Sequence, residues 1–212
     1  MNFFIKIPAL IRRFYSKRIW SISNETKALF LTFDDGPHPT VTTFVHNELK
    51  KINAKATFFC IGKNVLQYPD IYKRIILEGH AVGNHTMNHL NGWKTKDDVY
   101  LNDVFEARKI IDSKLFRPPY GKLTSFQERQ LYKPLYKLQV IMWSVLSGDF
   151  DEKTSAEQCS QNVILNAKGG DIIVFHDSEK ASSRLMYALP AVLKLFSEKG
   201  YTFKAIDDQI LA

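Results

Sequence analysis

The 212-residue chain carries 29 Lys and Arg against 22 Asp and Glu, a net charge of +7, and 45% of its residues are hydrophobic. That length supports one domain with a sizeable core, and two independent domains would be cramped. No apolar run reaches the length of a bilayer span and no cleavable secretory leader is recognised, because Lys6 interrupts the only candidate stretch. A cytoplasmic or peripheral-membrane location is therefore expected.

The positive charge is concentrated at the start. Residues 1–27 hold Lys6, Arg12, Arg13, Lys17, Arg18 and Lys27 against Glu25 alone, whereas the remaining 185 residues carry 23 basic and 21 acidic side chains. The body thus lacks the basic face that nucleic-acid binding requires, and the chain divides into a basic arm, 1–27, and a folded domain, 28–212. In the arm, Pro8 is placed to open a helix whose Leu10, Ile11 and Phe14 form one apolar stripe among Arg12, Arg13, Lys17 and Arg18. Two jobs fit that stripe: covering the bottom of the domain, or peripheral contact of residues 1–20 with an anionic membrane.

Beyond the arm, β-favouring runs recur at 28–33, 55–60, 80–84, 114–117, 138–143, 171–175 and 201–204, about seven strands. Amphipathic stretches at 40–52, 70–78, 96–113, 154–168 and 181–199 alternate with them, and Gly79, Gly169 and Gly200 are glycine stops. Such alternation predicts an α/β fold with a parallel sheet covered by helices, either an open doubly wound sheet or a small (β/α) barrel. Cys60 and Cys159 stand far apart and read as idle thiols.

Chemistry-bearing residues gather at strand ends. Thr32-Phe33-Asp34-Asp35-Gly36-Pro37 puts two carboxylates where an apolar strand enters a Gly-Pro turn, which lets both aim at one point. His85-Thr86-Met87-Asn88-His89 spaces two imidazoles four residues apart, on one face if the segment is helical. One carboxylate would complete a His-His-Asp set with room for water and substrate, as hydrolytic zinc uses. Arg117-Pro118-Pro119-Tyr120-Gly121, the stretch Trp143 to Phe150, and Ile172 to Asp177 each follow a further strand. Asp34, Asp35, His85, Arg117, Asp149 and His176 therefore fall at or just beyond C-terminal strand ends, where (β/α) barrels collect their active sites.

These five segments, in this order, resemble the polysaccharide deacetylases of carbohydrate esterase family four. The resemblance implies a single-domain distorted (β/α) barrel of about seven parallel strands and a hydrolase that removes the N-acetyl group from amino sugars of a poly- or oligosaccharide. It implies that Asp35, His85 and His89 bind a divalent metal, Zn²⁺ foremost with Co²⁺, Mn²⁺ or Ni²⁺ as options. Asp34 is then the general base, held ionised by Arg117, and His176 the general acid, kept charged by Asp149. The Tyr120 backbone N–H would meet the oxyanion. The fourth segment departs from the family pattern, with Leu146 and Phe150 where the family usually has Asp and Trp, and Val174 stands where Leu is common. Phe150 and Val174 are accordingly expected to reshape the acetyl pocket. Two other readings fit the same residues: a related C–N hydrolase acting on a non-sugar amide or cyclic imide, and a barrel that binds glycan without cleaving it. The latter has less reason to retain both Asp34 and His176.

Overall fold

The computed structural model describes residues 4–207 and 210. Strand β1, Ala28–Asp34, is buried along its whole length, and this follows from its place at the centre of a parallel sheet covered on both faces. β2, Thr57–Cys60, and β7, Ile172–His176, flank it. Outward from β2 follow β3, Ala81–Asn84, β4, Leu115–Phe116, and β5, Gln139–Val140. Outward from β7 lies β6, Val145–Leu146. The order is β5-β4-β3-β2-β1-β7-β6, all parallel, and β8, Thr202–Phe203, pairs with the start of β1. The sheet is a curled, incomplete (β/α) barrel in one domain. Among the described residues seven parallel strands form this path, in keeping with the about seven expected, and β8 adds an eighth beside it. The strand without a matching β-favouring run is β6, a two-residue strand inside the fourth motif.

Alternation divides β1 between two environments. Leu29, Leu31 and Phe33 join the outer core beneath the helices, while Ala28 and Phe30 join Phe59, Leu115, Ile141 and Ile172 in the barrel interior. Thr32 and Asp34 continue that inner row towards the C-terminal rim. The helices are α1, Ala9–Phe14, α2, Val41–Lys51, α3, Gly62–Gln67, α4, Pro69–Leu77, α5, Asp97–Arg108, α6, Ser125–Leu131, α7, Ala156–Asn166, and α8, Ser182–Glu198. α6 and α7 each begin with a capping box, Thr124 with Gln127 and Ser155 with Gln158.

The basic arm is hydrogen-bonded to the barrel. Lys6 bridges antiparallel to Val145, and Ile19 bridges parallel to Ile141. The segment thereby lines β6 and β5, the two ends of the curled sheet, and partly covers their open edges. Lys6 pairs with Asp171 at 2.5 Å and Arg18 makes a two-pronged contact with Glu128 at 2.8 and 2.9 Å, so two of the arm's cations hold tertiary structure. The expected stripe is split: Ile11 packs against the core, whereas Leu10 and Phe14 are each 79% exposed. No helix among the described residues is long and apolar enough to cross a membrane.

Among the glycines required by packing, Gly83 supports the site. Gly83 lies opposite Phe59 in the β2–β3 pairing, and a Cβ there would stand 2.4 Å from the Phe59 ring. Gly83→Ala should destabilise the fold by about 1–3 kcal/mol through overpacking, a loss measurable by urea denaturation.

Candidate active site

The carboxylates leave β1 in different directions. Asp34 is its last residue, nearly buried, and Asp35 takes a left-handed backbone, φ 82°, that turns its side chain out of the strand alternation. Three contacts hold this unfavourable turn. Asn64 donates to the Asp35 carbonyl at 2.7 Å, the Ile61 N–H donates to the Gly36 carbonyl at 2.9 Å, and the Gly36 N–H donates to buried Asp177 at 3.0 Å. A Cβ on Gly36 would run into the Asp177 carboxylate.

The histidines arrive on a loop. The segment is not helical: residues 85–89 are irregular, and Thr86 and His89 have left-handed φ values of 64° and 58°. Asp103 of α5 fixes the loop by accepting from the Met87 and Asn88 N–H groups at 2.9 and 3.0 Å and from the Asn88 amide at 2.6 Å. The ring Nε2 atoms of His85 and His89 consequently reach within 3.6 and 3.1 Å of Asp35 Oδ1.

Beneath this triad lies Arg117, wholly buried. Its guanidinium donates to Asp34 Oδ1 at 2.7 Å, Thr32 Oγ1 at 2.6 Å, and the carbonyls of Ile141 and Met142 at 3.2 and 2.9 Å. It stacks 4.1 Å from the Phe59 ring. On the other side, β1 and β7 pair in register so that Asp34 stands beside His176. Asp149 accepts from His176 twice, from Nδ1 at 2.8 Å and from the backbone N–H at 2.7 Å.

The electrostatics follow from these placements. Burial pushes His85 down to about 4 against the opposing pull of Asp34, so its ring is neutral at pH 7. Burial would also lower His176, but the charge and hydrogen bond of Asp149 override it and raise the ring to about 9. Burial opposes ionisation of Asp35, yet the close His89 ring and the charge of His176 hold its carboxyl well below the usual range.

Asp35, His85 and His89 fit a divalent cation. Asp35 Oδ1 is buried without a hydrogen-bond donor while two ring nitrogens converge on it. The His85 Nδ1–H donates to the Arg117 carbonyl at 2.7 Å, which leaves the Nε2 lone pair facing Asp35, the backing that metal-ligating histidines receive. A second cluster, His46, Glu78 and His80, has similar spacing and lacks that arrangement. His80 Nδ1 accepts from the Ala56 N–H, and burial lowers that ring to about 4, so the neutral ring keeps its proton on Nε2. Glu78 is already engaged by His46 at 2.8 Å and Arg74 at 2.7 Å. This cluster is a polar clamp between α2, α4 and the start of β2.

Of the remaining expected residues, Tyr120 adopts φ 60° with its ring 4.7 Å from His89, and Phe150 sets its ring edge-on to His176 at 5.3 Å. Val174 lies on the inner side of β7 two residues before His176, fully buried beneath the site. A cavity of about 380 Å³ opens between Asp35, His89 and Phe150, with Lys63, Asn64 and Lys180 in its walls. Asp177, Asn64, Thr32 and Asp103 position the site without having been singled out by sequence. Two of them carried a signal, Thr32 by its place in the first motif and Asp177 by its place directly after His176, whereas Asn64 and Asp103 carried none. Cys60 and Cys159 are buried free thiols.

This constellation at the C-terminal rim of a partial (β/α) barrel is that of a hydrolase. Residues 21–133 match the family model described as polysaccharide deacetylase, and the chain belongs to that family. It is 34% identical over 195 residues to a peptidoglycan-N-acetylglucosamine deacetylase of Bacillus cereus, covering 89% of this chain and 91% of the relative. It is also 34% identical to the chitooligosaccharide deacetylase of Azorhizobium caulinodans, over 74% of this chain and 76% of that one. The structure of the peptidoglycan deacetylase PdaC from Bacillus subtilis superposes with a TM-score of 0.78 at 29% identity, covering 88% of this chain and 90% of the other.

His176 gives a direct readout. Because its folded value of about 9 lies above the ordinary value near 6.5, the protonated ring stabilises the fold fully below about 6.5, and that contribution is lost as pH rises through about 9. Asp149→Asn should bring the His176 titration, followed by NMR, down from about 9 and flatten this alkaline loss of stability.

Proposed function

We propose that this chain hydrolyses the N-acetyl group of N-acetylated amino sugars in a poly- or oligosaccharide, with a divalent metal. The observation that carries this reading is the in-register pairing of Asp34 and His176 beside the Asp35-His85-His89 set, an arrangement that supports a base and an acid acting at one ligand triad. The names of the relatives bring peptidoglycan and chitooligosaccharide forward as substrates for this chain. A glycan-binding barrel without catalysis has no need for both groups.

Arg117 engages Oδ1 of Asp34, which leaves Oδ2 to accept the proton of the attacking water. Asp149 occupies Nδ1 of His176, so the transferable proton is on Nε2, and the ring delivers it to the departing sugar nitrogen as the amide C–N bond breaks. A cation on Asp35, His85 and His89, Zn²⁺ first among Co²⁺, Mn²⁺ and Ni²⁺, would supply Lewis-acid polarisation of the acetyl oxygen and lower the pKa of water. The Tyr120 N–H, the first backbone donor after Pro118 and Pro119, would serve the developing oxyanion. Phe150 against His176 shapes the acetyl pocket, and Val174 supports the acid from below.

Acetate release from chitooligosaccharides and peptidoglycan fragments tests the proposal. Exhaustive chelation should abolish release and Zn²⁺ or Co²⁺ should restore it, whereas full turnover by the metal-free protein would refute it. Asp34→Asn should lower kcat by about 10²–10⁴-fold with metal content retained. If that variant loses the metal instead, Asp34 rather than Asp35 is a ligand.

A further inference from the structure

The cavity beside Asp35 has two cationic walls. Lys63 lies on α3, just beyond β2, and Lys180 lies beyond β7, so they stand on the two sides of β1, whose end carries Asp34 and Asp35. Lys63 is exposed, and among the described residues its ammonium has no hydrogen-bond or ion-pair partner. Lys180 has only a loose contact with Glu152 at 3.9 Å, both side chains being mostly exposed. Nearby acidic groups do not neutralise this pair. Glu179 is turned to His38 at 3.4 Å, Asp149 is committed to His176, and Asp35 to the two imidazoles. Neither lysine has a part in the hydrolytic chemistry, and the internal packing does not account for them.

We propose that Lys63 and Lys180 make the groove selective for N-acetylated glycans that carry an anionic group, a carboxylate or a phosphate, on or next to the sugar being deacetylated. This rests on the deacetylase reading above and adds a specificity to it. The anion lies outside the reacting acetamide, so its attraction to the ammonium groups is equal in ground state and transition state. It acts on KM more than on kcat. Both lysines are solvent-exposed, so each contributes a factor of about three and the pair about tenfold, and added salt weakens the effect.

The test compares three soluble substrates: a neutral chitooligosaccharide, a disaccharide of N-acetylglucosamine and N-acetylmuramic acid with its lactyl carboxylate, and an N-acetylglucosamine oligomer carrying a phosphate monoester. Acetate release is measured at low and high ionic strength for the native enzyme, K63Q, K180Q, the double variant and the charge-keeping K63R. The expected result is a higher kcat/KM for one or both anionic glycans than for the neutral one. That ratio should fall about threefold in each single variant and about tenfold in the double variant, mainly through KM, survive in K63R, and shrink in high salt. Whichever anion keeps the preference identifies the source. A ratio that the lysine variants leave intact, or a native enzyme that prefers the neutral glycan, overturns the inference while the deacetylase reading stands. Calorimetric binding of the same glycans to the metal-loaded protein runs in parallel. If no substrate releases acetate, the deacetylase reading fails, and the lysines are then judged by Kd alone, equal values for native and double-variant protein overturning their role.

Discussion

The site depends on one buried ion pair. Arg117 is wholly enclosed in the barrel, and an uncompensated guanidinium there would carry a large desolvation cost. Asp34, Thr32 and two main-chain carbonyls at the end of β5 satisfy it, and Phe59 covers its face. Removing one partner of a buried pair typically costs about 3–5 kcal/mol, because the other charge is left stranded. The same contact sets the direction of Asp34, and the Arg117 carbonyl sets the tautomer of His85. One side chain and its own backbone therefore link Asp34, the proposed base, to the proposed ligand set. Gly83 belongs to this linkage, since only a residue without Cβ lets Phe59 lie where Arg117 needs it.

A second constraint is backbone strain at Asp35 and His89, which line the cavity, and at Tyr120, whose ring packs on His89; all three are in the left-handed region. Each such residue costs on the order of 1–3 kcal/mol and persists because its surroundings over-determine it. For Asp35 the surroundings are Asn64, Ile61 and Asp177. For His89 they are the contacts of Asp103 with the preceding loop. These supports are buried or part-buried hydrogen bonds from different elements and their flanking loops, which is why the site stays fixed although its carriers are turns.

The central strands were legible in the sequence because β1 and β7 are buried on both faces and so read as continuous apolar runs. The long helices were legible by their periodicity and glycine stops. β6, α3 and α6 were not: Val145–Leu146 is too short to show any period, and α3 and α6 span six and seven residues. The five motif segments carried their own residues, but the four-residue spacing of His85 and His89 left the backbone between them open, since it suits a helix and equally a loop that reverses at Thr86 and again at His89. What no local pattern contains is the partner of a buried group. Asp177 meets Gly36 across 141 positions and Arg117 meets Asp34 across 83, and only the barrel brings them together.

The different roles proposed for His176, as acid, and His85, as metal ligand, follow from what stands next to each ring. His85 is a buried and His176 a largely buried imidazole at the same rim, and desolvation pushes both towards the neutral form. They end on opposite sides of neutrality because Asp149 accepts from His176 directly, while His85 gives its proton-bearing nitrogen to an uncharged carbonyl. A carboxylate behind one ring makes a proton donor, and a carbonyl behind the other makes an electron-pair donor suited to a cation. Exchanging those two partners would exchange the roles. The chemistry of this rim is thus set one layer below the atoms that would touch substrate, by Asp149 at the end of β6 and by the Arg117 backbone at the end of β4.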